Sequence, residues 1–384
     1  MGGAHRWQRL ISELPDKMEC RVLCPPPAYP YGEFENTHRP IKREEIDGVP
    51  VTRLWTLQPK EDSRAHQSNL GRILNYVIFS LFASLYVLVN FWRYDSVVTV
   101  SSPHTTFLPG AVAKLLGCAW IVDIFDLWLD NAEDMGYVEE GTIPYRYIWT
   151  LEWLAITKSD AITVITETMA QAYVDKFDVS RGKFTLLPFG VDSDLFVPAP
   201  KTTDSNRVLY VGNMGDSHAL RPFLEAFQQL PERYTLELVG DGKRRNELET
   251  FAAELGIADR IQFSGFVDRS EVARRLQNSA LSIVPLQQDF QLDYARPNKL
   301  LESMAVGTPY VASDIRELRR VSEESNGGVV APNDPGAVAE AIQMLLEDPE
   351  RREQMGKDAV SYIDEQHRWP TLGTRVAEVI RKIG

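Results

Sequence analysis

The sequence predicts an α/β protein built from two Rossmann-like, doubly wound domains. Three observations carry the prediction. A chain of 384 residues is long enough for two cores of ordinary size. Short apolar runs alternate with helical patterns through both halves, which specifies parallel strands with helices on both faces. Glycine or proline closes several runs of the second half, at the carboxyl edge where such sheets bind ligands.

Taken in order, the chain opens on glycines and a helical stretch from Ala4 to Leu14. A doubly wound domain starts with a strand, so GGAHRWQRL reads as the loop and helix after a first strand missing from this sequence. Strands are expected at ECRVLC (19–24), PVTRLW (50–55), DSVVTVSS (95–102), AWIVDIF (119–125), DAITVIT (160–166) and KFTLLPFG (183–190). From Ile73 to Trp92 no charge interrupts the chain, a length able to span a bilayer. Asn75, Ser80, Ser84 and Asn90 dilute the stretch, and the strands before and after it belong to one sheet. The expectation is therefore a helix on the first domain with its outer side against lipid, flanked by Arg64, Arg72 and Arg93.

The second half repeats the scheme at RVLYVG (207–212), YTLELVG (234–240), RIQFSG (260–265), ALSIVP (280–285), PYVAS (309–313) and GGVVAP (327–332). LRPFLEAFQQL and PGAVAEAIQMLLED are helical patterns between them. The domain boundaries expected are 1–192, 193–362, and an amphipathic tail 363–384 that crosses back to the first domain. The two domains are expected to face each other across a cleft.

Composition narrows the function. Acidic residues number 54 against 41 basic ones, and a net charge of -13 offers no field for nucleic acid. Cys20, Cys24 and Cys118, without a histidine pair, form neither a disulfide framework nor a zinc site. The opening MGGAHRWQRL has no apolar core behind a basic start, as a secretory leader would.

The stretch ARPNKLLESMAVGTPYVASD (295–314) is the most informative. Pro297 suits a first helical turn, Gly307 the residue past the last, and Pro309 stops continuation. Lys299 and Glu302 share one face of that helix, opposite Leu300, Leu301, Met304 and Ala305. Alone, Lys-x-x-Glu is an ordinary surface ion pair. At a helix N-terminus it can also grip a phosphorylated sugar carrier.

These motifs in this order resemble the family 4 glycosyltransferases, the retaining group with the two-domain GT-B fold. The second half carries VLYVGNMG, LELVGDG, IQFSGFV, ALSIVPL, NKLLESMAVGTPYVASD and GGVVAPNDPGAVAEAI. The first half is similar to the WbuB-like branch of surface-glycan enzymes through PPPAYPYGEF, REEIDGVPVTRLW, LNYVIFSLFAS, SSPHTTFLPGAVAKLLG and DIFDLWLDNAEDMG. The resemblance implies that Glu302 binds the nucleotide ribose, a role that suits a carboxylate accepting from a cis-diol. It implies a diphosphate contact for Lys299, with Gly3, Gly212, Asn213, Gly215, Gly240, Phe266, Val267 and Asn298 lining the donor site. Asp126 and Lys299 are the candidate catalytic residues, Lys299 stabilising charge on the leaving diphosphate.

Several positions depart from the family pattern. Tyr294 stands where the first glutamate of the Glu-x7-Glu motif would be, with Asp293 as a possible substitute. Asn213 and Ala219 replace the phosphate-binding Arg and Lys, leaving Arg221 or Arg296 to assist Lys299. Phe125 replaces the histidine often found before Asp126. Asp192-Ser193-Asp194 spells a metal-nucleotide motif of the other glycosyltransferase fold, but in GVDSDLF it reads as the interdomain joint. Pro25-Pro26-Pro27 reads as a loop ending a strand.

The function implied is sugar transfer from a nucleoside-diphosphate sugar to a lipid-linked saccharide, with retention, without metal or other cofactor. The protein is expected at the cytoplasmic face of the cell membrane, peripherally bound. The rival readings are a nucleotide-sugar epimerase and a non-catalytic scaffold subunit of a glycan-assembly complex.

Overall fold

A computed structural model describes residues 3–15, 18–26, 39–56, 69–101, 103–134, 136, 138–199, 206–288 and 292–383. The chain divides into two compact units: Met1–Ile165 with Met169–Leu187 and Gly373–Gly384, and Thr166–Thr168 with Pro188–Leu372.

The first unit runs α1 (Gly3–Ser12), β1 (Val22–Cys24), β2 (Ile41–Ile46), β3 (Val49–Leu54), α2 (Asn69–Leu88), β4 (Ser96–Val100), α3 (Phe107–Leu115), β5 (Ala119–Ile124), α4 (Trp128–Asp134), α5 (Ile143–Lys158), β6 (Ala161–Val164), α6 (Glu167–Phe177) and β7 (Phe184–Leu186). β4-β5-β6-β7 form one parallel sheet. β1, β3 and β2 form a second, in which β1 pairs parallel with β3 and β2 antiparallel with it. Among the described residues the two sheets are separate. The strand Ile41–Ile46 and the turn after it are absent from the sequence-based expectation. Asp47 and Gly48 adopt φ of 50° and 78°, the pair of positive angles a two-residue hairpin turn needs.

Close packing fixes α3 on this sheet. A Cβ at Gly110 would lie 2.0 Å from the indole nitrogen of Trp120, which itself donates to Thr99 Oγ1 at 2.8 Å. Helix α1 is tied to β5 by Asp123, a buried carboxylate that accepts from Trp7 Nε1 (2.8 Å), Thr163 Oγ1 (2.6 Å) and Arg6 Nη2 (3.3 Å). Burial lowers the pKa of Arg6, and Asp123 opposes that shift.

The second unit continues with β8 (Arg207–Val211), α7 (Leu220–Gln229), β9 (Thr235–Val239), α8 (Arg245–Glu254), β10 (Ile261–Gly265), α9 (Arg269–Gln277), β11 (Leu281–Val284), α10 (Asn298–Ala305), β12 (Tyr310–Ser313), α11 (Arg316–Ser325), β13 (Gly328–Ala331), α12 (Pro335–Leu346), α13 (Pro349–Gln366) and α14 (Trp369–Ile383). Its six strands are parallel throughout, in the order β10-β9-β8-β11-β12-β13. One core packs α7, α8 and α12 on the sheet through Phe223, Phe227, Leu248, Val338 and Ile342. The other packs α9, α10, α11 and α13 through Leu276, Leu300, Met304, Leu318 and Ile363. Helices on both faces make the sheet doubly wound, as the alternation of runs predicts. Late in α14 the chain packs within the first unit, where Val379 meets Ile121 and Ala161.

Helix α2 covers the uncharged stretch as far as Leu88. Phe79, Ala83 and Tyr86 are buried with Leu54, while Leu81, Leu85, Leu88, Val89 and Trp92 stay exposed. Among the described residues no helix is long and apolar enough to cross a membrane. Arg64 and residues 27–34 of the proline motif lie outside the described residues.

Candidate functional site

In the six-stranded sheet of the second unit the winding reverses at β8, which pairs with β9 on one side and β11 on the other. The crevice beyond the carboxyl ends of β8 and β11 is the position where such sheets bind ligands. Gly212 follows β8 and Gly240 follows β9, and their backbones run in contact. Gly212 N donates to Val239 O at 2.9 Å and Gly240 N to Gly265 O at 2.8 Å. Gly240 has φ of 123°, and a Cβ there would lie 2.0 Å from Gly212 O, so only glycine fits. Asn213 packs between Gly215 and Gly242, and Met214 N donates to Asp241 O at 2.8 Å, holding the loop after β8 against the loop after β9.

Lys299 reaches this loop from the first turn of α10. Its Nζ donates to Tyr210 Oη at 3.1 Å and lies 4.3 Å above that ring, while the Tyr210 hydroxyl donates to the Asn213 carbonyl at 2.5 Å. A Cβ on Gly212 would stand 2.7 Å from Lys299 Nζ, so the absent side chain makes room for the ammonium. Burial drives the Lys299 pKa down to about 7, against the pull of Glu302. His218, edge-on to Tyr210, is pushed down to about 3 by burial and by Lys299, so it is neutral at physiological pH. No side chain caps α10, whose N-cap is Pro297. An uncapped helix start beside a lysine and a glycine turn is suited to a phosphate.

Glu302 lies one turn along α10. Its Oε1 accepts from Arg269 Nη2 at 3.1 Å, and burial raises its pKa while Arg269 opposes. Asn298 opens α10, and Val267 and the exposed Phe266 follow β10 at the same carboxyl edge. The structure thus gathers Gly212, Asn213, Gly215, Gly240, Phe266, Val267, Asn298, Lys299 and Glu302 along one edge of one sheet. Gly3 and Asp126 belong to the other unit: Gly3 begins α1, and half-buried Asp126 follows β5, where its Oδ1 accepts from Asn131 Nδ2 at 2.7 Å.

The candidate helpers of Lys299 have other engagements. Arg296 donates from Nε to Glu317 Oε1 at 2.9 Å and meets His367 Nε2 at 3.2 Å, all three buried. Arg221 pairs with Glu247 at 3.0 Å and stacks 3.7 Å above Phe251. Asp293 takes the backbone N–H of Arg316 at 3.4 Å, at the start of α11, and Tyr294 is buried. Asp192, the first residue of the Asp-x-Asp pattern, accepts from Trp369 Nε1 at 3.0 Å and from Arg269. Sequence reasoning missed Tyr210, His218 and Arg269, because their contacts join positions far apart in the chain.

A parallel sheet with its glycine turns, lysine and carboxylate at the switch point defines the class. Residues 192–361 match the family model described as "Glycosyl transferases group 1", and residues 1–190 match "Glycosyl transferase 4-like domain". The chain is a glycosyltransferase of the GT-B type. It is 25% identical over 302 residues to alpha-D-kanosaminyltransferase of Streptomyces kanamyceticus, covering 74% of this chain and 75% of that one. Across curated relatives such as this, the chain spans 45% to 75% of their length. Among solved structures, sucrose-phosphate synthase of Thermosynechococcus elongatus superposes with a TM-score of 0.71 at 20% identity, over 99% of this chain and 93% of that one. Anabaena HepE, solved in complex with UDP, superposes at 0.66 and 16% identity over 87% of each chain.

Proposed function

We propose that the protein transfers a hexose or related sugar from a nucleoside-diphosphate sugar to a lipid-linked saccharide, with retention and without a metal ion. The C1–O bond to the β-phosphate breaks and a C1–O bond to the acceptor forms on the same face. The acceptor's proton ends on the departing diphosphate. Lys299 and the open start of α10 meet the charge that develops on the leaving oxygen, and Glu302 accepts from the ribose hydroxyls. The observation that carries this reading is the Lys299 ammonium seated against Gly212 at the switch point, one turn from a carboxylate. UDP and UDP-glucose complexes of Anabaena HepE support the donor class. Asp126 is assigned to the acceptor side, and the pathway to surface glycan, polysaccharide or protein N-glycan assembly by a WbuB-like enzyme.

The exposed apolar side of α2 supports peripheral association with the inner face of the cell membrane. Incubating radiolabelled nucleotide sugars with and without a lipid extract from the native membrane tests the reading. Transfer of label to lipid with release of nucleoside diphosphate, unchanged by chelator, is the expected result. Epimerised donor, or binding without release, overturns it in favour of an epimerase or a scaffold.

A further inference from the structure

Glu302 is not held by its own helix. Arg269, the first residue of α9, spreads its guanidinium between two carboxylates: Nη2 donates to Glu302 Oε1 at 3.1 Å and Nη1 donates to Asp192 Oδ2. Asp192 is itself anchored, since its Oδ1 accepts from the indole N–H of buried Trp369 at 3.0 Å. The Arg269 guanidinium also lies 5.2 Å from the centre of the Phe196 ring. Buried Trp369 thus holds Asp192, Asp192 holds the fork of Arg269, and the fork holds one oxygen of Glu302. Among the described residues no hydrogen bond is made to Glu302 Oε2.

We propose that Arg269 is a positioning residue that orients the Glu302 carboxylate for the two adjacent hydroxyls of a ribose, with Asp192 as its anchor. The inference rests on the reading that Glu302 takes the nucleotide ribose. A carboxylate already fixed in one rotamer loses less side-chain entropy when a diol arrives. A guanidinium on one oxygen also opposes the rise that burial imposes on the carboxyl's pKa.

The test compares UDP, GDP and ADP with their 2′,3′-dideoxy counterparts by calorimetric titration of the whole chain. In the wild type, at least one ribonucleotide binds more tightly than its dideoxy partner. Glu302→Ala should abolish that preference. Arg269→Ala should reduce it by about tenfold, the worth of one charge-assisted hydrogen bond, and leave dideoxynucleotide affinity unchanged. Arg269→Lys, which keeps the charge but not the fork, should fall between the wild type and Arg269→Ala. Thermal melts confirm that the variants fold, and Arg269 is exposed enough for its loss to be tolerated. If Glu302→Ala keeps the preference, or no nucleotide binds, the ribose reading fails and the inference with it. If Glu302→Ala loses the preference and Arg269→Ala keeps it, only the inference fails. Equal weakening of both nucleotide forms by Arg269→Ala also overturns it, because Arg269 then contacts phosphate directly.

Discussion

Burial holds Lys299 near its point of half-ionisation at neutral pH, with the pKa down to about 7 from an ordinary 10.5. A bound diphosphate favours the ammonium and raises that value. Donor affinity should therefore be greatest below about pH 7 and fall as pH climbs from 7 to 9, by as much as tenfold per unit where free enzyme is neutral and complex charged. Calorimetry in two buffers of different ionisation enthalpy should detect proton uptake, and Lys299→Met should abolish both effects. His218, Tyr210 and Glu302 are the titratable groups around the ammonium, and His218 stays neutral through this window. The same residue makes the apo fold more stable as pH rises from 7 toward 10.5, because the unfolded chain binds the extra proton there. Lys299→Ala should lower turnover more than Asn213→Ala, since it removes charge where Asn213 offers a neutral contact. Equal losses would put the diphosphate elsewhere. The lysine and glutamate were singled out by their spacing on one helical face, three apart between Pro297 and Gly307, and took their expected roles from the family resemblance. Arg269 was not, because its partners Glu302 and Asp192 lie far away in the sequence, while Asp268 beside it caps α9, its side chain accepting from Glu271 N at 2.9 Å.

At the level of the elements, the site depends on turns that exclude a Cβ. Gly240→Ala should push the loop after β9 away from Gly212 and cost both stability and donor affinity, since a positive φ and a 2.0 Å contact act together. Gly110→Ala, far along the chain from that loop, should cost on the order of 3 kcal/mol through overpacking against Trp120. Chemical denaturation with nucleotide titration separates the two: both variants should lower the denaturation midpoint, but only Gly240→Ala should lose binding under conditions where it remains folded. All six strands of the second sheet were legible because each is a short apolar run closed by glycine, proline or serine, with a helix to follow. β2 was not, because the sequence IKREEI is too charged to read as a strand. Its hydrogen bonds to β3 and the Asp47-Gly48 turn hold it there, not burial of its side chains.

For the molecule as a whole, the membrane association proposed for the apolar side of α2 carries its own prediction. Trp92 is 67% exposed and Leu81 55%, on a stretch without an acidic residue. Carbonate or high-salt washing of membranes should release much of the protein, and Leu81→Glu with Leu85→Glu should shift it to the soluble fraction while donor binding in the other unit persists. Retention after carbonate would mean an integral protein. The second sheet carries a different consequence, in the order of its assembly. β8 pairs with β9 about 30 residues away, yet it meets β11 only across roughly 70 residues of chain. Loop closure favours the nearer pairing, so β10-β9-β8 and β11-β12-β13 are expected to form as separate local modules before they join. The seam between them is the crevice that holds Lys299 and Gly212. Contacts made that late are absent from the folding transition state, and a nucleotide bound across the seam should slow unfolding while leaving the folding rate nearly unchanged.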